Sequence, residues 1–156
     1  MREYLTLLYI LLVLPLLTSC LDKEEDAAPA ALLKKWNLSA IAYTDKADLL
    51  PPQDEQVWIE FGKQQASSDY SFTGNAAPNN YFGRLTLTNE GTSGTMLVGD
   101  MAVTVIGSTK MVSTELESEY FELLGLARSY TIQQNTLIIT CRDGEKLIYN
   151  SSSQAD

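Results

Sequence analysis

The sequence predicts a mainly β, β-rich α+β domain: a small antiparallel sheet or barrel with one helix near residues 114–126. From Trp36 onward, short runs of β-branched and aromatic residues alternate with turn residues. In Val57–Phe61 and Arg84–Thr88 every second residue is apolar, which indicates strands with one buried face. A single segment, after Ser113, has the spacing of a helix instead.

The predicted strands are short and separated by turn-forming residues. In chain order they are Trp36–Tyr43, Val57–Phe61, Tyr70–Thr73, Tyr81–Thr88, Thr95–Val98, Met101–Ile106, Tyr130–Gln133, Leu137–Cys141 and Leu147–Asn150. The last three are joined by the turn-forming links Gln134–Asn135 and Arg142–Glu145. These links predict a β-meander at the end of the domain.

The helical segment has a start signal, an apolar stripe and a stop signal. Ser113-Thr114-Glu115 is typical of a helix N-cap. The residues Tyr120, Leu123, Leu124 and Ala127 recur at helical spacing, and Gly125 predicts the end of the helix. The acidic residues of this segment are spaced two apart and therefore lie around the cylinder, so we expect a solvated face and no metal site.

The amino terminus has the pattern of an export signal. A short basic head precedes the apolar run Leu5–Leu17. As a helix this run would measure about 20 Å, which is short of the ~30 Å hydrocarbon core of a bilayer. Pro15 also interrupts it. We therefore expect a cleaved signal peptide over residues 1–19 and no transmembrane helix.

Leu17-Thr18-Ser19-Cys20 resembles the lipobox of bacterial lipoproteins, which implies that Cys20 carries a lipid anchor. The charged spacer Leu21–Asp26 is either a plain linker or, as its resemblance implies, a surface-export signal of Bacteroidota-type lipoproteins. These patterns predict a lipidated acidic tether over residues 20–31, a folded domain over 32–150 and a disordered tail over 151–156. The predicted location is the outer membrane, at the cell surface.

The amino-acid composition argues against several classes of partner and of catalytic site. The 156 residues carry a net charge of −9, which makes nucleic acid a poor partner. The chain has no histidine, so the commonest general base and metal ligand are missing. With Cys20 lipidated, Cys141 has no disulfide partner, and its place in an apolar run predicts a buried structural thiol. We predict no enzyme activity, no cofactor and no metal.

Three blocks, in this order, resemble the META domain family, also called HslJ-like, over roughly residues 33–150. The first is Trp36-Asn37-Leu38, and the second runs from Phe72-Thr73-Gly74 to Asn79-Asn80-Tyr81-Phe82-Gly83. The third is Gly107–Met111, which is followed by a glutamate-rich helix. Many members carry a cysteine just after the third block, where this chain has Val112 and Ser113. The resemblance implies a small barrel-like envelope domain with one helix, linked with stress or drug tolerance and without an established catalytic activity.

Asn79, Asn80, Tyr81 and Lys110 form the predicted binding patch. The segment Asn75–Gly83 reads as a polar loop whose carboxamides and aromatic rings could bind a sugar or a peptide. Alternatively, Asn79 satisfies loop carbonyls and Tyr81 starts a strand. The loop Asp45–Gln56 is a second candidate contact surface, or merely a connection.

The sequence thus predicts a noncatalytic lipoprotein whose domain binds an envelope protein, a glycan or a peptide, with a membrane as its partner through the lipid. The alternative is an inhibitor of an exogenous hydrolase, or an antibiotic-tolerance factor.

Overall fold

The structure is a computed structural model that describes residues 30–63, 70–88, 91–106 and 111–152, apart from the side chains of residues 111–113. Several predictions lie outside the described residues: the signal peptide, the lipidation of Cys20, the charged spacer Leu21–Asp26 with most of the tether, the placement of Lys110 and the tail from residue 153 onward. No helix among the described residues is long and apolar enough to cross a membrane.

The described residues form a closed antiparallel barrel. Its elements are β1 (Lys35–Ala42), β2 (Val57–Lys63), β3 (Tyr70–Ala76), β4 (Asn79–Thr88), β5 (Ser93–Val103), α1 (Met111–Gly125), β6 (Ala127–Gln133), β7 (Thr136–Cys141) and β8 (Lys146–Ser151). Each strand pairs with the next one along the chain, and β8 pairs with β1 to close the barrel. The predicted mainly β class and the terminal meander are confirmed, and the described residues contain one helix, as predicted.

Strand β5 corrects the prediction of two separate strands over Thr95–Val98 and Met101–Ile106. It is continuous across Gly99 and Asp100, because its pairing with β4 contains a bulge. Gly83 pairs with Met101 and Leu85 pairs with Val98, so Arg84 alone faces two residues of β5. In the sequence, the glycine and the aspartate are typical of a turn. In the structure the two residues lie within one ladder, where they stand opposite a single residue of β4.

The segment Asn75–Gly83 is a hairpin, which corrects the prediction of a polar loop. Strands β3 and β4 are in register from Ala76 opposite Asn79 onward, so that only the two-residue turn Ala77–Pro78 stands outside the ladder. The polar composition of this segment reflects residues on the outer face of the hairpin and at its tip.

Two further boundaries differ from the prediction. Helix α1 begins at Met111, so Ser113 lies inside its first turn and is not the N-cap; the helix ends at Gly125 as predicted. Strand β8 extends to Ser151, one residue past the predicted domain end, because the Ser151 N–H donates to the Asn135 carbonyl at 2.8 Å.

Apolar side chains from every strand fill the barrel, and α1 contributes a stripe of its own to the same core. The largest fully buried side chains include Trp36, Ile41, Ile59, Phe72, Tyr81, Tyr120, Tyr130 and Tyr149. Alternation along each strand places the strand residues among them on the inner face, and Tyr120 reaches the same core from α1.

Two glycines make room for two aromatic rings across the β3–β4 hairpin. Gly74 pairs with Tyr81, and Phe72 pairs with Gly83. A Cβ atom added at Gly74 would overlap the Tyr81 ring and the Trp58 carbonyl oxygen, and one added at Gly83 would lie 2.5 Å from the Phe72 ring. Each glycine is therefore required by the aromatic side chain opposite it.

Three tyrosine hydroxyls form a buried hydrogen-bonded chain inside the barrel. Tyr149 donates to the Tyr120 hydroxyl at 3.1 Å, Tyr120 and Tyr81 bond to each other, and Tyr81 donates to the Trp58 carbonyl at 3.0 Å. Burial raises the pKa of Tyr120 to about 12, and its hydrogen bonds to Tyr149 and Tyr81 lower this pKa in part. Burial likewise raises the pKa of Tyr81 and of Tyr149 well above the ordinary value of 10.

We predict that Gly74→Ala lowers the free energy of unfolding by about 1–3 kcal/mol, because the new methyl group displaces the Tyr81 ring. The matched control is Gly62→Ala, whose Cβ would meet only the Ser71 hydroxyl at 3.6 Å. This control should change stability by less than about 0.5 kcal/mol. Urea denaturation of both variants tests the prediction, and equal losses would contradict it.

We predict that stability falls above pH 10 and falls less steeply in Tyr149→Phe. Below pH 10 the folded and unfolded forms both keep the phenol proton. Above it the unfolded chain releases the proton first, which lowers the free energy of unfolding by about 1.4 kcal/mol per pH unit for each such tyrosine. Denaturation of both proteins at pH 8, 10 and 11 measures the two slopes. Identical slopes would show that Tyr149 keeps no raised pKa.

Candidate functional site

Asn79 lies at the junction of the β3–β4 hairpin, the end of β5 and helix α1. It is 6% exposed, and its carboxamide donates to the Ile106 carbonyl and to the Glu117 carboxylate. Its oxygen accepts from the Ile106 N–H at 2.7 Å and from the Thr104 hydroxyl at 3.1 Å. All of these partners belong to the chain itself, so Asn79 ties three segments together.

Strand β4 places two of the other predicted patch residues, Asn80 and Tyr81, on opposite faces. Tyr81 is 1% exposed and points into the barrel, whereas Asn80 is exposed and bonds to the Asn75 side chain. Strand alternation explains the split, because neighbouring residues of β4 point to opposite faces. The structure therefore brings Asn79 and Tyr81 to the interior and leaves Asn80 outside.

Two glutamates of α1 form contacts that the prediction of a solvated face did not include. Glu117 binds Asn79, as described above. Glu119 accepts from the Tyr43 hydroxyl at 3.0 Å and forms an ion pair with Lys46 at 3.4 Å. Lys46 also lies 3.8 Å from the centre of the Tyr43 ring. These contacts join the helix to the segment that follows β1.

Cys141 has the properties of a structural thiol. It lies at the end of β7, is buried and donates to the Leu123 carbonyl at 3.2 Å. Burial, with a smaller effect of the Glu145 carboxylate, raises its pKa to about 12, so the nucleophilic thiolate is scarce at neutral pH. Within the described part of the chain, no three acidic or cysteine side chains converge as metal ligands.

An open depression of about 510 Å³ lies on the outer face of β3, β4 and β5. The side chains of Phe82, Arg84, Asp100 and Ala102 line it, together with Ser71 and Thr73 of β3. A smaller depression of about 280 Å³ adjoins it on the other side of Arg84, next to Leu97 and Gly99. We refer to the two together as the outer depression.

The outer depression combines apolar surface with two opposite charges. Phe82 is 61% exposed and Leu97 is 50% exposed, although large apolar residues usually avoid water. Arg84 and Asp100 are also exposed, and among the described residues neither forms an ion pair. An exposed ring beside an unpaired guanidinium and carboxylate can hold a ligand through apolar contact and directed hydrogen bonds.

The prediction from sequence missed this surface, although part of its signal was present. Phe82 and Arg84 alternate with inward-facing residues of β4, so each could have been assigned to the outer face. Asp100 joins them only through the bulge in β5, which local sequence does not reveal.

Solved structures share this barrel. A protein from Burkholderia xenovorans, whose structure was determined by NMR, superposes with a TM-score of 0.64 at 20% identity and covers 81% of this chain and 89% of its own. A second NMR structure superposes with a TM-score of 0.56 at 17% identity, covering 80% and 94%. At these identities the likeness concerns the fold alone. No curated protein matched the chain.

The family comparison covers the whole described domain. The META domain model matches residues 30–154, which include every strand of the barrel and helix α1. The chain therefore belongs to the META domain family.

Proposed function

We propose that this protein is a noncatalytic binding module of the bacterial envelope, held to the outer membrane by lipid on Cys20 and displayed at the cell surface. Its outer depression binds an envelope component, and the protein contributes in this way to envelope stress tolerance. The META domain is not a known catalytic family.

The accessible aromatic and charged groups lie on the outside of the barrel, and this position supports the proposal. The barrel interior is filled with side chains, and the polar groups there bond to one another. The exposed ring of Phe82 lies outside, as do the charges of Arg84 and Asp100, which form no ion pair within the described part of the chain. Because a ligand needs accessible groups whose hydrogen-bonding capacity is unused, the outer depression is the better candidate.

The proposed location is supported by the amino-terminal sequence. A thiol after two small residues and an apolar run is the acceptor arrangement of a lipoprotein signal. Each buried methylene of an acyl chain contributes about 0.8 kcal/mol to membrane binding, so more than one chain gives a stable anchor. The acidic spacer after Cys20 would hold the domain away from the membrane surface.

We predict that Cys20→Ser abolishes incorporation of radiolabelled palmitate, because the acyl acceptor is gone. Cys141→Ala is the matched control: it removes the other cysteine, which is buried, and should keep the label. Protease added to intact cells should digest the parent protein. Label retained in Cys20→Ser would contradict lipidation at this residue, and full protection from protease would contradict surface display.

We predict that a photo-crosslinking amino acid placed at Phe82 in the full-length protein captures an envelope component in living cells. The same amino acid at Asn150, an exposed residue of β8, is the control and should capture nothing specific. Arg84→Ala introduced beside the Phe82 crosslinker should weaken the capture, since the guanidinium contacts the ligand.

Equal products from both positions would refute the outer depression as the binding surface. If the captured partner is instead an exogenous hydrolase whose activity falls when this protein is added, the inhibitor function holds and the proposed one does not.

A further inference from the structure

Strand β5 is paired along most of its length on one side only. On the side of β4 its pairing runs from Thr95 to Val103, whereas on the side of β6 it covers Ser93 to Thr95 alone. Beyond Thr95, no strand among the described residues pairs with this second side. We refer to Met96–Val103 as the β5 edge. Backbone groups of a strand alternate between its two sides, so along this edge the donors and acceptors of the second side have no strand partner among the described residues.

The helix does not complete the ladder. Helix α1 follows β5 in the chain and packs near it, but no backbone hydrogen bond joins the two among the described residues. A helix uses its own backbone groups internally except at its ends and so offers none for strand pairing.

Within the β5 edge Met96 is buried in the core, and the side chains beyond it are exposed or only partly buried. Leu97, Gly99, Asp100 and Ala102 are exposed, and the inward-facing Val98, Met101 and Val103 are only partly buried. An added strand would cover these three residues with its own inward side chains and border the outer depression on its other face.

We propose that the β5 edge binds an extended polypeptide strand of a partner protein by strand addition, next to the outer depression. This inference rests on the proposed binding function and names its partner class. Strand addition draws affinity from backbone hydrogen bonds and specificity from alternate side chains.

Charge decides between a foreign strand and a second copy of this chain. Asp100 is the single charged residue from Ser93 to Ile106, and the whole chain carries a net charge of −9. Two β5 edges pairing with each other would bring two such chains and two copies of Asp100 together, which is unfavourable. The fitting occupant is therefore an apolar, alternating strand with one lysine or arginine facing Asp100.

The test uses synthetic peptides and the purified full-length protein in detergent micelles. The probe is a fluorescein-labelled peptide of alternating valine and threonine with one central lysine, and a second peptide carries glutamate in place of the lysine. Fluorescence anisotropy gives the affinities, and hydrogen exchange locates the protected amides. We expect the lysine peptide to bind about 2- to 5-fold more tightly than the glutamate peptide, and to protect the β5 edge.

Two modified peptides examine the backbone contacts. One is N-methylated on the amides of one edge, the other on the amides of the opposite edge. Because an added strand pairs along a single edge, one modification should abolish binding and the other should leave it nearly unchanged. Asp100→Lys should reverse the preference for lysine over glutamate, whereas Asp143→Lys, at an exposed turn residue remote from β5, should not.

Three results would overturn the inference. They are equal binding by both N-methylated peptides, protection outside the β5 edge, and concentration-dependent self-association that protects the β5 edge without peptide. If soluble envelope glycans bind the outer depression and the peptides do not, strand addition fails while the proposed binding function stands. If the crosslinker at Phe82 captures no envelope component in cells, in contrast, the proposed function itself is contradicted.

Discussion

The contact between the Tyr81 ring and Gly74 determines how the rest of the barrel is arranged. The ring occupies the space that a side chain at Gly74 would need, and its hydroxyl reaches the Trp58 carbonyl on β2 and Tyr120 on α1. One side chain thus joins three neighbouring strands to the helix. A slip of β4 by one residue would turn Tyr81 to solvent and place Phe82 inside, so this contact fixes the register of the hairpin.

The fixed register divides the chemistry of β4 between two faces. Asn79 and Tyr81 point inward and hold the hairpin, the helix and the end of β5 together. Phe82 and Arg84 point outward and border the outer depression. The glycine-to-tyrosine block that resembles the family pattern is therefore explained by packing, since Gly74 and Gly83 each admit the aromatic ring opposite. The residues suited to binding are their outward neighbours.

Local sequence was sufficient for most of the fold and insufficient for the candidate site. Alternation in β2 and β4 and the tight links of the last three strands depend on neighbouring residues, which is why the antiparallel class and the meander were predictable. Asn79 and Glu117 meet across 38 residues of sequence, and Tyr81 meets Trp58 across 23. No local pattern reports such pairings. The bulge that brings Asp100 beside Arg84 likewise follows from β4–β5 register, so a glycine and an aspartate were mistaken for a turn.

A closed barrel normally has no unpaired strand edges, through which sheets of different molecules can associate. Here the short β5–β6 pairing leaves one segment of β5 without a strand partner on that side among the described residues. Natural sheets usually protect such edges with several charges or proline, whereas the β5 edge carries Asp100 alone. The charge of −9 acts over the whole molecule and opposes pairing between identical copies, yet it does not oppose a strand that brings a compensating cation. Net charge, and not the residues of the edge, opposes self-association, so the β5 edge stays available to a strand of a different protein. An open apolar edge on an acidic protein is therefore consistent with selective binding and not with indiscriminate association.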